Sequence, residues 1–113
     1  MFIAMNRFKV KKGSEHDFEQ VWFNRDSYLE RMAGFVEFHL LKGPKNEDHT
    51  LYSSHTVWAS RAAFEAWTKS EEFRRAHARA GNNSTAGSLY LEHPKFEGFE
   101  VRQTIKAEEP ATA

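Results

Sequence analysis

No cysteine occurs anywhere in the 113 residues. That removes disulfides, thiolate metal sites and iron–sulfur clusters together. An excess of either charge is missing too, since 16 Lys and Arg balance 16 Asp and Glu. A nucleic-acid binder normally carries a basic excess, so no nucleic-acid partner is expected. Neutrality also weakens self-repulsion and permits oligomers. No apolar run approaches the roughly 20 residues of a membrane span. The opening MFIAMNRFKV has too short an apolar core for a signal peptide and lacks a small-residue cleavage site. No membrane partner is expected, and the location by default is cytoplasmic. The chain contains no G-x-S-x-G, P-loop or G-x-G-x-x-G, so serine-hydrolase and nucleotide chemistry find no support.

Aromatic residues, by contrast, are plentiful: ten Phe, three Trp and three Tyr. Some of these can line a pocket or a subunit interface instead of a core. Length and composition point to one globular domain over residues 1–105, with 106–113 (KAEEPATA) as a flexible C-terminal tail. A chain of this size buries roughly 65% of its unfolded surface, so a core is possible but not generous.

Alternation from Phe2 to Val10 predicts a strand with Phe2, Ala4, Asn6 and Phe8 on one side. An amide sharing a face with two phenylalanines is an odd core residue. Ser14 reads as the cap of a helix running to Met32, with Phe18, Val21, Trp22, Arg25, Tyr28 and Leu29 at helical spacing and Gly34 ending it. Phe35 to Leu41 and Thr50 to Trp58 read as a hairpin, with Phe35, Glu37, His39 and Leu41 sharing one face. Ser60 caps SRAAFEAWTKSEEFRRAHARAG, and Ser70-Glu71-Glu72 looks like a second cap within it. In a straight helix Trp67 and Phe73 would stand roughly 120° apart, so a break near Ser70 is what lets them share a cavity. Gly81 suits a left-handed stop. Ser88 to Glu92, extending towards Val101 past Pro94, reads as the last strand. The order β-α-β-β-α-β is the ferredoxin-like α+β arrangement, an antiparallel sheet with helices on one face. Its open face needs a cover, and a second copy would supply one, which predicts a homodimer.

Six histidines occur, none at H-x-x-x-H or H-E-x-x-H spacing. His39 and His55 fall on adjacent strands, where two half-exposed polar residues explain them better than a metal site. His77 stands among Arg74, Arg75 and Arg79. A neutral imidazole there can ligate a single iron, and the arginines suit carboxylates. The same residues also fit an ordinary basic helix end. Trp67 reads as a core anchor with Phe64 unless a ligand claims it. Asn6 needs partners that the core does not obviously offer, either a ligand or a bridging water.

Together Asn6 in the first strand, Trp67 on the late helix and His77 ten residues further on resemble the IsdG-type haem-degrading monooxygenases of the antibiotic biosynthesis monooxygenase superfamily. The stretch TVWASRAAFEAWTKSEEFRRAH, with Trp58 ending the third strand, is similar in style. Arg25 matches a family position on the first helix, and Trp22 stands where a phenylalanine is common. The resemblance covers nearly the whole chain. It implies a dimeric α+β barrel with one haem per subunit, haem being both cofactor and substrate. It assigns His77 as proximal iron ligand, Trp67 as the residue pressing on the porphyrin face, and Asn6 as an amide donor on the oxygen side. Trp22 and Arg25 join them as haem-binding residues. O2 and an external electron donor, a reductase or a small-molecule reductant, would complete a reaction that opens the ring to a biliverdin-type tetrapyrrole and releases iron for acquisition. Two other readings stay open: a non-catalytic haem-sequestering protein, and a cofactor-free small-molecule monooxygenase in which His77 is a general base.

Overall fold

Period-two alternation makes Phe2–Lys11 (β1) the strand on which the rest is assembled. The chain continues through α1 (Glu15–Phe23), β2 (Phe35–Lys45), β3 (His49–Trp58), α2 (Arg61–Thr68), α3 (Glu71–Gly81) and β4 (Lys95–Glu100). This computed structural model describes residues 1–25, 27–81 and 89–108, with the side chains of 77–81 outside that description. The strands form one antiparallel sheet in the order β2-β3-β1-β4. That is the ferredoxin-like α+β arrangement expected, with the late helix divided in two.

The even residues of β1 carry the core. Phe2 and Ala4 pack with Leu29, Trp58 and Trp67, while Phe8 and Val10 pack with Phe18, Tyr52 and Leu89. Fully burying one such side chain contributes about 1.5–3 kcal/mol, so a short chain with large aromatics reaches stability with few core positions. The odd residues Ile3, Met5, Arg7 and Lys9 stand opposite Val57, His55, Ser53 and Leu51 on the other face. Leu41 and Phe99, on that same face, remain 39% and 47% exposed.

The first helix stops at Phe23, well short of Met32. Helical spacing persists in Tyr28, Leu29 and Met32, but Tyr28 adopts a left-handed φ of 60° and only a single 3-10 turn, Leu29–Arg31, follows. Turn-forming Asn and Ser around the break favour leaving the helix over extending it. Ser14 precedes the helix without a side-chain capping bond, and Glu15 instead accepts from the Gly13 N–H at 2.8 Å.

In β2 an extra residue, Val36, separates Phe35 (opposite Trp58) from Glu37 (opposite Val57). This bulge moves Phe35 onto the face of Phe38, away from Glu37 and His39. The last strand lies beyond Pro94, not before it. Leu89 and Leu91 bond to Lys11 and Lys9, forming one bridge at Tyr90, and pairing with β1 resumes only at Lys95. Proline has no N–H to donate, so the contact with β1 is made in two pieces. The expected stop after Gly81 and the start of the last strand at Ser88 fall outside the described residues.

Candidate functional site

Between the sheet and the helices lies a cavity of about 330 Å³, within the roughly 300–1,000 Å³ of small-molecule sites. Its floor is the sheet. Ala4 and Asn6 of β1, Ser54 and Thr56 of β3, Phe38 of β2 and Phe96 of β4 all line it. Antiparallel register sets Asn6 directly opposite Ser54 and Ala4 opposite Thr56. The Asn6 backbone N–H donates to Ser54 Oγ at 3.2 Å. No described residue bonds the Asn6 side-chain amide, and Asn6 lines the cavity.

One wall comes from the split helix. Ser70 ends α2 and begins α3: its hydroxyl donates to the Trp67 carbonyl at 2.7 Å and accepts from the Phe73 N–H at 3.0 Å. The resulting bend turns Phe73 edge-on to Trp67, with centroids 5.3 Å apart and planes at 83°. Both rings line the cavity, as does buried Ala76. Phe73 is thus cavity wall as well as packing. Phe64 stacks on Phe96 at 5.6 Å and 11° across the same space.

The opposite wall is charged. α1 ends with Arg25 N–H bonded to the Trp22 carbonyl, and the chain folds the Arg25 guanidinium back to 4.7 Å above the Trp22 ring. Trp22 in turn stacks on Phe38 at 5.7 Å and 18°. Trp22 Nε1 and Arg25 Nε are both buried without a hydrogen-bond partner among the described residues. No carboxylate among the described residues pairs with Arg25. Burial pulls its pKa below the ordinary arginine value, and burial pushes that of nearby Tyr90 up. An arginine keeps its proton regardless, so the wall holds a charge without a counter-ion among the described residues.

Asn6, Trp22, Arg25 and Trp67 are therefore brought together around one cavity. His77 lies on α3 next to Ala76 and four residues after Phe73; its side chain is outside the described residues. His39 and His55 do meet across the hairpin, with rings 5.6 Å apart, but on the opposite face of the sheet. Among the described residues no group of three His, Cys, Asp or Glu could hold a metal ion. Ser54, Thr56 and Phe96 escaped sequence reasoning. Ser54 gains its place in the site only from the antiparallel register of β1 and β3, which sets it opposite Asn6.

No helix among the described residues is long and apolar enough to cross a membrane. Comparison with known proteins gives a consistent answer. The chain is 31% identical over 101 residues to a heme-degrading monooxygenase of Shouchella clausii, covering 89% of this chain and 92% of that one. The fold matches SnoaB of Streptomyces nogalater, a cofactor-independent oxygenase, with a TM-score of 0.64 and 26% identity over 94% of this chain and 97% of that one. It also matches the heme-degrader MhuD of Mycobacterium tuberculosis, solved with two hemes in its active site, with a TM-score of 0.69 and 24% identity over 94% and 100% of the chains. The model for antibiotic biosynthesis monooxygenases matches residues 1–79. With its cavity enclosed by a ferredoxin-like sheet and a broken late helix, the chain belongs to the antibiotic biosynthesis monooxygenase family.

Proposed function

We propose that this chain is a haem-degrading monooxygenase that takes haem into the cavity and, with O2 and an external reductant, opens it to a linear tetrapyrrole with release of iron. The observation that carries the reading is Arg25, whose buried Nε finds no hydrogen-bond partner among the described residues, at the wall of an aromatic cavity. Such a site fits a flat apolar ring that bears carboxylates. The aromatic edges and faces of Trp67, Phe73 and Phe64 suit the ring, and the fixed fork of an arginine suits the acid groups. Identity to a heme-degrading monooxygenase across most of both chains supports the same reading.

In this reading Trp22 and Arg25 hold the carboxylate side, Trp67 presses on the ring, and His77 ligates the iron. Bound haem supplies the metal at which oxygen is reduced and is itself the carbon framework that is cleaved. The Asn6 amide donates from the floor, where negative charge grows during oxygen reduction. A second copy covers the open sheet face, giving a homodimer.

The test is a hemin titration followed by ascorbate in air, with the product identified by mass. A stoichiometric Soret band that bleaches to an open tetrapyrrole is expected, and His77→Ala should abolish productive binding. A band that persists under reductant and oxygen would make the protein a haem-sequestering one. Absence of any hemin-induced absorbance change would favour a cofactor-free oxygenase, the activity stated for SnoaB.

A further inference from the structure

Ser54 is 5% exposed and lies on the cavity floor opposite Asn6. Its Oγ accepts the Asn6 backbone N–H at 3.2 Å, which uses one lone pair and fixes where the oxygen sits. A hydroxyl also carries a proton, and a buried one left without an acceptor is costly. No acceptor for that proton exists among the described residues: the neighbouring Ser53 hydroxyl donates to the Ser54 carbonyl and does not reach its Oγ. The open space beside Ser54 is the cavity itself.

Residues directly opposite in an antiparallel pair have Cβ atoms about 4.5–5.5 Å apart. The Asn6 amide and the Ser54 hydroxyl are therefore close enough to address one small acceptor from two adjacent strands. Both stand on rigid sheet positions. Donors held in place before charge develops lose little in reorganisation when it does.

We infer that Ser54 is a second hydrogen-bond donor which, with Asn6, forms a two-strand cradle for the oxygen atom that takes up negative charge in the reaction. The inference rests on the haem reading above and adds a residue to it. Its role is binding and orientation at the floor, and no proton needs to leave Ser54.

Fluoride is a suitable probe because it only accepts hydrogen bonds. In the hemin-loaded protein, Ser54→Ala should weaken fluoride binding about tenfold or more, as loss of a hydrogen bond to a charged group does. Carbon monoxide affinity of the reduced protein should stay unchanged, and Ser54→Thr should restore fluoride binding. In an Asn6→Ala background, Ser54→Ala should weaken fluoride again by a similar factor. No further loss there would mean that Ser54 acts only by holding the Asn6 backbone, and would overturn the second-donor assignment. Equal losses for fluoride and carbon monoxide would also overturn it, as general loosening of the pocket. Failure of wild-type protein to bind hemin would remove both this inference and the haem reading, whereas normal hemin binding with fluoride affinity indifferent to Ser54 removes the inference alone.

Discussion

The Arg25 guanidinium lies 4.7 Å over the Trp22 ring, and its buried Nε has no hydrogen-bond partner among the described residues. Trp22 and Phe38 fix the position of this cation, so the space beside it is suited to an anion. Arg25→Ala is expected to weaken hemin binding by about 10–100-fold, the range for losing hydrogen bonds to a charged group. Arg25→Lys should recover only part of this, because an ammonium lacks the planar fork. The dimethyl ester of hemin, which has no carboxylates, should bind wild type and Arg25→Ala alike. Equal sensitivity of ester and acid would rule out a carboxylate partner. Titrations followed at the Soret band decide it.

Ser70 connects the two halves of the late helix through bonds to Trp67 and Phe73. Ser70→Ala removes a helix cap and should cost about 1 kcal/mol, a fall in Tm of about 4 °C for a domain of this size. Because the bend sets the edge-on contact of Trp67 and Phe73, hemin affinity should fall as well. An exposed cap such as Ser60, which accepts from the Ala63 N–H at 3.1 Å, provides the comparison. Ser60→Ala should lower Tm similarly and leave hemin affinity alone.

Leu41 and Phe99 leave much of their area in water on the sheet face opposite the cavity. If a second copy covers this face, light scattering should give a mass twice that of the 13.1 kDa chain. Leu41→Glu with Phe99→Glu should then produce a folded monomer, since neither side chain is buried within one chain. A wild-type monomer would refute the covered-face model.

The Thr50 hydroxyl donates to Glu15 at 2.7 Å and holds that carboxyl below the usual glutamate range, helped by backbone bonds at Glu15 and Gly13. A carboxyl whose pKa is lower folded than unfolded adds stability above its unfolded value and loses it as pH falls through the folded one. Thr50→Val should therefore be less stable than wild type at pH 7, with the gap closing as pH drops below the ordinary glutamate pKa. Urea midpoints measured at pH 7 and pH 3 test this. A gap that does not change with pH would assign the loss to packing at Thr50.

Much of this molecule is legible in the residues themselves. Alternation alone sets Asn6 beside Phe2 and Phe8, and a second cap at Ser70 with the 100° helical step anticipates the meeting of Trp67 and Phe73. The misreadings share one cause, which is that tertiary pairing decided between locally equal choices. Tyr28, Leu29 and Met32 continue a helical stripe that the chain abandons at Phe23 in order to fold Arg25 over Trp22. Leu89, Tyr90 and Leu91 look as strand-like as any segment, yet they find only a short stretch of β1, and Phe96 to Phe99 take the rest. Ser54 was invisible for a related reason: a serine in a strand gains meaning only from the residue across from it.

The bulge in β2 also bears on how the chain tolerates changes in length. Most strand positions cannot lose a residue, because every side chain beyond the loss would switch faces. Val36 is 48% exposed and is the one residue between Phe35 and Phe38 that the ladder with β3 leaves over. Deleting it would keep Phe35 opposite Trp58 and Phe38 opposite Thr56, so the cavity floor would keep its lining while the edge strand lost its local bend. A one-residue deletion at the bulge is therefore compatible with this fold, and the same deletion between Phe38 and Leu41 is not.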